Sequence, residues 1–359
     1  MRPWIAAGEG GEAVQEVSVQ KALLCAIGCF KIKDMDRGYG LSHVYYSLAD
    51  FGYAHYERQW CQSIRSLRRH NASIEVHLVH YGSVPRGIVR EAERQRVAVH
   101  RPGGYRDCLE AVFPEHADAL SHCPTFHKIL SLRFIPVGHA AQVLYLDCDT
   151  FFFCDVARIF QNHQTRHFFA REEPWSRRSH YGYRPGHIDE DLLVRTCAAE
   201  KLAFIPPYNS GVMLFNHGVW STVGALAERS LSYGWRLLAG VCEDEQLARE
   251  CSLALREQVA LSFRRSPEPP PLRYPSSNWW IVDAIATWLT LGAVRGLTHD
   301  VFRRADVVQG GEYNDIEPES PPVLVHYFSN LESEFFASKS RLSSLFFQGF
   351  RTSRGDGPS

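Results

Sequence analysis

Val143-Leu144-Tyr145-Leu146-Asp147-Cys148-Asp149-Thr150-Phe151-Phe152-Phe153 is the stretch around which the chain is organised. Four apolar or aromatic residues with a β-branched start suit a strand buried on both faces of a parallel or mixed sheet. Asp147 and Asp149 then fall at its carboxyl end, the edge where open α/β sheets bind ligands. Residues spaced i and i+2 leave a strand on the same face, so the two carboxylates can converge on one point. Two unpaired carboxylates so close repel each other, and a hard divalent cation with oxygen ligands removes the conflict. The competing reading is a strand-end aspartate that caps the following turn while its neighbour is solvated.

The rest of the chain is consistent with a globular protein built to bury such a strand. Its 359 residues are enough for one large domain or two closely packed ones, and 45% hydrophobic and 12% aromatic content are globular values. A formal net charge of -1 lacks the electrostatic footprint of a nucleic-acid binder or a membrane-surface protein. No run approaches the ~18 apolar residues that a membrane span needs, and residues 1–19 have no apolar core flanked by basic residues. A cytoplasmic protein is therefore expected. The 10 cysteines form no Cys-x-x-Cys pair and sit mostly in apolar stretches, which favours buried reduced thiols over disulfides. Lysine occurs only at positions 21, 31, 33, 128, 201 and 339, so a lysine inside a motif stands out.

Residues 1–19 are Gly- and Glu-rich and are expected to be loose. Lys21 to Cys29 reads as a first buried strand, and the polar connection through Gly40 as a nucleotide-contacting loop. Tyr56, Trp60, Ile64 and Leu67 recur at helical spacing, Ile74 to Tyr81 reads as a strand, Ile88 to Arg96 as a helix and Val97 to His100 as a strand. The first ~100 residues thus predict βαβαβ with a parallel sheet. Pro124, the apolar face of Phe126, Ile129, Leu130 and Phe134, and the stop at Pro136 define a helix that carries Lys128. A lone helical lysine is usually solvated.

Beyond the aspartates, Asp155 to Gln161 predicts a short helix and His167 to Ala170 a strand. Arg171 to Gly186 reads as a long polar and aromatic loop of the kind that walls a substrate site. Asn209-Ser210-Gly211 reads as a tight turn into a core strand, Val212 to Phe215, or as a binding segment of small side chains. Val219 to Ala239 predicts one helix, and Glu243 to Ala248 opens another with acids suited to a helix start. Residues 266–278 are Pro-rich and are expected to form a loop. Val323 to Phe328 is a last strand, whose His326 would ordinarily be a structural hydrogen-bonder.

Five stretches in this order carry a resemblance: Phe126-His127-Lys128-Ile129-Leu130, the Asp147-Cys148-Asp149 strand, Asn209 to Asn216, Asp244-Glu245-Gln246-Leu247-Ala248, and Val325-His326-Tyr327. Together they resemble the family 8 retaining glycosyltransferases, a group that includes glycogenin-like, galactosyl- and xylosyltransferases. The resemblance implies the GT-A nucleotide-sugar-binding fold, an α/β architecture with a mixed, mostly parallel central sheet flanked by helices. It implies a single catalytic domain over residues 20–330, with a nucleotide-binding half at about 20–155 and an acceptor half at about 156–330. Residues 331–359 would then form a C-terminal helix and tail.

The roles follow from the resemblance one position at a time. Asp147 and Asp149 resemble carboxylates that bind Mn²⁺ (or Mg²⁺), Asp147 also lying near the donor ribose, and His326 resembles the third protein ligand. Lys128 resembles a basic residue that contacts the donor. Asn209, Ser210 and Gly211 resemble the segment beneath the transferred sugar, and Asp244, Glu245 and Gln246 the catalytic segment beside the anomeric carbon. Ala26, Ile27 and Gly28 are expected to contact the nucleotide, with a UDP-sugar as donor and an acceptor that is a saccharide, small molecule or protein. Many members follow the histidine with Gly-x-x-Lys-Pro-Trp, whose lysine touches the diphosphate; here the chain reads Phe328-Ser329-Asn330-Leu331-Glu332. That contact is missing or replaced. Two other classes compete: a non-catalytic nucleotide-sugar-binding protein, and an Asp-x-Asp phosphatase, whose pattern places threonine two positions after the second aspartate rather than next to it as Thr150 is here.

Overall fold

The computed structural model describes residues 42–50, 54–121, 124–135, 141–172, 190–205, 208–239, 279–310, 312, 320–328, 332 and 335. All of them fall in one compact unit, Gly40–Ser359. The expectations for residues 1–19 and 21–29, for the helix opening at residue 243, for the loop at 266–278 and for most of 331–359 lie outside the described residues.

Ten strands are described: β1 Ser42–Ala49, β2 Glu75–Tyr81, β3 Val97–His100, β4 Gln142–Leu146, β5 Thr150–Phe152, β6 Phe168–Glu172, β7 Tyr208–Phe215, β8 His299–Val301, β9 Val307–Gln309 and β10 Leu324–His326. Seven form one sheet in the order β3-β2-β1-β4-β7-β6-β8, and β5, β10 and β9 form a second. In the large sheet β1 runs parallel to β2 and β4, β2 to β3, and β6 to β8, whereas β7 is antiparallel to β4 and β6. This is the mixed, mostly parallel sheet flanked by helices that was expected.

The continuous apolar run of β4 has a direct cause. Val143 and Tyr145 enter one core with the helices Tyr105–Val112, His127–Ser131 and Trp279–Gly292. Leu144 and Leu146 enter the other with Trp60, Ile64 and Leu67 of the helix Ala54–His70. A strand with a packed layer on each face has no solvated side on which to place polar residues.

Several expectations need correction. The strand that pairs with both β2 and β4 is Ser42–Ala49, so the described βαβαβ unit runs from residue 42 to 100 and opens on a strand that the sequence did not suggest. Its hydropathy is diluted by polar side chains that tertiary contacts satisfy: Tyr46 shares a 2.8 Å hydrogen bond with Ser63, and Ser47 one of 2.6 Å with His127. Asn209, Ser210 and Gly211 lie within β7 rather than in a turn before it. Arg171 and Glu172 belong to β6, and the rest of the expected 171–186 loop lies outside the described residues. The expected single helix from 219 to 239 is two, Val219–Ala225 and Ala227–Ala239. Leu226 separates them, its amide shared between the carbonyls of Thr222 and Val223 at 3.1 Å each. The apolar helix Trp279–Gly292 had no counterpart in the sequence reading. Among the described residues Cys61, Cys108, Cys148, Cys154 and Cys197 are free thiols, and no helix is long and apolar enough to cross a membrane.

Candidate active site

The site lies where the chain leaves β4. The Asp147 amide donates to the Gly211 carbonyl at 2.7 Å, tying the first aspartate to β7. The turn that follows is fixed from below: Thr150 Oγ1 donates to the Asp147 carbonyl at 3.0 Å and shares a 2.8 Å hydrogen bond with Ser63, which in turn meets Tyr46. These hydroxyls anchor the turn to the helix Ala54–His70 and to β1.

The second sheet delivers the histidine. β5 leaves the Asp-x-Asp turn and pairs antiparallel with β10, setting Thr150 opposite His326, and the Tyr327 amide donates to the Asp149 carbonyl at 3.1 Å. His326 Nε2 consequently lies 3.2 Å from Asp149 Oδ1 and 4.0 Å from Asp147 Oδ2. Ligand atoms of all three residues lie within 4.8 Å of one another. Nε2 is the ring nitrogen turned to the carboxylates, and Nδ1 is buried with no hydrogen-bond partner among the described residues. Gly211 makes this placement possible: a Cβ there would stand 2.1 Å from His326 Cε1 and 2.6 Å from Nε2. The ring of Phe328 meets the imidazole edge-on, with centroids 4.7 Å apart.

Lys128 comes from the helix His127–Ser131 and is almost buried, its side chain 11% exposed. Its ammonium donates to Asp147 Oδ2 at 2.9 Å and to Ser210 Oγ at 3.3 Å, and pairs with Asp283 Oδ2 at 3.2 Å. Ser210 Oγ donates to the same Asp283 oxygen at 3.0 Å, and the Tyr145 hydroxyl donates to Asp147 Oδ1. Burial alone would lower the Lys128 pKa, but the charges of Asp147 and Asp283 outweigh it and hold the group above its ordinary value. Burial raises the Asp283 carboxyl above its ordinary value, and Lys128 opposes the rise. Among the described residues, one ammonium, that of Lys128, is set against the three carboxylates of Asp147, Asp149 and Asp283. Oxygen and imidazole ligands in this arrangement fit a divalent cation.

The structure therefore brings together Lys128, Asp147, Asp149, Ser210, Gly211 and His326. Asn209 Oδ1 accepts from the Gly211 amide at 2.9 Å. Asp244, Glu245, Gln246, Ala26, Ile27 and Gly28 lie outside the described residues. The sequence reading missed Asp283, although a signal was present: it is the sole acid of the otherwise apolar helix Trp279–Gly292, and an acid there must be buried and paired. It also treated Tyr145 purely as core.

No family model and no curated protein matches the chain. Solved structures to which it is similar include the galactosyltransferase LgtC in complex with donor and acceptor sugar analogs, at 12% identity over 88% of this chain and 98% of that one, with a TM-score of 0.44. Mouse xyloside xylosyltransferase 1 in its apo form aligns at 12% identity over 81% of this chain and 99% of its own, with a TM-score of 0.42. The glycosyltransferase GlyE of Streptococcus pneumoniae TIGR4 aligns at 15% identity over 86% of this chain and 59% of its own, with a TM-score of 0.45. Each of these three proteins is named for glycosyl transfer.

Proposed function

We propose that the chain is a GT-A glycosyltransferase that moves a hexose or pentose from a UDP-sugar to an acceptor hydroxyl, with retention of anomeric configuration. Its divalent cation, Mn²⁺ or Mg²⁺, would be held by Asp147, Asp149 and His326. The observation that carries the proposal is the convergence of these three side chains at the carboxyl edge of β4, with Lys128 alongside. Residues 20–330 would form the catalytic domain, its nucleotide-binding half ending near 155.

A bound cation supplies positive charge against a departing nucleoside diphosphate. The chain's own residues do the remainder. Asp147 and Asp149, oriented by Tyr145 and by the Tyr327 amide donating at the turn, are held facing His326 before any ligand arrives. Lys128 would give up its longer 3.3 Å bond to Ser210 to donate to the donor, keeping its N–H on Asp283 so that no buried carboxylate is left unpaired. Ser210 and Gly211 of β7 form the floor. In this proposal Asp244, Glu245 and Gln246 line the face of the sugar beside the anomeric carbon. Gln246 cannot act as a base; its amide would orient the acceptor or stabilise an oxocarbenium-like transition state, and the departing diphosphate would help to take the acceptor proton. Asp244→Asn should therefore lower turnover more than donor affinity.

The test is a melting panel of nucleoside diphosphates and nucleotide sugars with and without Mn²⁺. UDP at ~100 times its dissociation constant should stabilise the protein by about 2.7 kcal/mol in the presence of the metal. Tenfold tighter binding of GDP or TDP, worth about 1.4 kcal/mol, would overturn the donor assignment. A shift indifferent to chelator would overturn the metal site, and a shift with no nucleotide released from any donor would reduce the chain to a binding protein. Proton NMR coupling constants of the product of an α-linked donor decide the stereochemistry, a β-linked product being incompatible with retention.

A further inference from the structure

We propose that His43, Glu75 and His77 form a second cation site, for a zinc-class transition metal, at the opposite end of the sheet from Asp147. It does not rest on the glycosyltransferase reading. β1 and β2 pair in parallel with His43 opposite Glu75 and Tyr45 opposite His77. Glu75 and His77, spaced i and i+2, share a face, and His43 reaches the same face from the neighbouring strand. His43 Nδ1 lies 3.1 Å from Glu75 Oε2 and 3.1 Å from His77 Nε2. The three ligand atoms all lie within 4.8 Å of one another.

The chemistry of these atoms points to a metal. His43 Nδ1 carries either one proton or one lone pair, so it cannot bond well to both neighbours at once, whereas a cation between them engages all three lone pairs. Zinc–nitrogen and zinc–oxygen bonds of ~2.0–2.1 Å in tetrahedral array separate ligand atoms by roughly 3.3 Å, close to the two 3.1 Å separations from His43 Nδ1. The far side of His77 is also suited: its Nδ1 lies 3.1 Å from His100 Nε2 on β3. An Nδ1–H donated to His100 fixes the tautomer whose Nε2 lone pair faces the cluster, the arrangement that metal-bound histidines use.

The site is both built and reachable. His43 and His77 are buried, while the Glu75 side chain is 56% exposed, which leaves a path for entry and a fourth position for water. It is separate from the Asp147 site. His43 is in register with Val143, four residues before Asp147, or about 13 Å along the strand at ~3.3 Å per residue. Two imidazoles and one carboxylate suit zinc, whereas the two carboxylates of the other site suit harder cations. A cation here would tie β1 to β2 at the amino-terminal edge of the sheet.

The experiment uses the full chain carrying Asp149→Ala, which disables the first site, stripped of metal and titrated with Zn²⁺ alone. Bound zinc is read by a chromophoric competitor and by melting temperature. One equivalent should bind and raise the melting temperature. Adding Glu75→Gln, at a half-exposed position where folding is not at risk, should weaken binding at least tenfold and remove the thermal shift. His77→Gln should do the same, with circular dichroism confirming the fold. Failure of the Asp149→Ala chain to take up zinc, or uptake unchanged by Glu75→Gln, would overturn the proposal and leave a hydrogen-bonded histidine chain with no metal.

Discussion

Replacing Gly211 by alanine isolates the geometry of the candidate metal site, because it adds one methyl group and removes no ligand. Gly211 is not among the residues with positive φ, so alanine meets no backbone strain and the effect is steric alone. The new Cβ would stand 2.1 Å from His326 Cε1, where ordinary contact begins at 3.4 Å, so the ring must retreat by about 1.3 Å. Retreat is hindered by Phe328 at its edge and by the β10 pairing on either side. Overpacking of this kind costs ~1–3 kcal/mol, partly offset by the ~0.4–1 kcal/mol that alanine gains over glycine through the unfolded chain. A net loss of about 1–2 kcal/mol lowers the melting temperature by only a few degrees in a chain of this size. The functional effect should be much larger, because an ångström of misplacement at a reacting centre costs on the order of 100-fold. Titration of the folded variant with UDP and Mn²⁺, followed by donor turnover, reads both effects. A variant with wild-type Mn²⁺-dependent binding and turnover would refute the role given to His326 and its glycine floor.

Three further outcomes are expected. Asp149→Ala should abolish transfer without unfolding the protein, since it removes one of several crowded carboxylates; activity that persists in chelator would contradict this. Lys128→Ala should destabilise by ~3–5 kcal/mol because it strands buried Asp283, and adding Asp283→Asn should recover much of the loss in a double-mutant cycle, with additivity counting against the coupling. Asp306 is fully buried and accepts from His163, Asn162 and Arg303 at 2.9–3.0 Å; burial alone would raise its carboxyl, but those bonds outweigh it and hold it below the ordinary value. Its stabilising contribution is therefore complete above the ordinary carboxylate pKa of about 3.9 and is lost as pH falls through the depressed folded value. Asp306→Asn should accordingly cost ~2–3 kcal/mol in denaturant unfolding at pH 7 and progressively less below pH 4, and a cost independent of pH would show the charge to be irrelevant.

By itself, the sequence determined the sheet-forming centre of this protein and the positions of Asp147 and Asp149 at its end. β4 was legible because every residue from Val143 to Leu146 feeds one of two cores, and a run without a polar side has few other homes. The helix Ala54–His70 and the strand Glu75–Tyr81 were legible because their apolar periodicity mirrors a single buried face or two. β1 was not, because its His43, Tyr46 and Ser47 are buried polar groups whose partners Glu75, His77, Ser63 and His127 come from elsewhere in the chain. Nor could local pattern say that Asn209, Ser210 and Gly211 continue a strand, since Gly211 is required by an imidazole that arrives on β10. The tertiary structure alone decided that β5 and β10 pair so that His326 faces Asp149, and that Asp283 holds Lys128 against Asp147. The physical reason is common to these cases. Apolar burial leaves a periodic mark along the chain because it depends on which face a residue occupies, whereas the partner of a buried charge or hydroxyl is set by long-range packing and leaves no mark beside it.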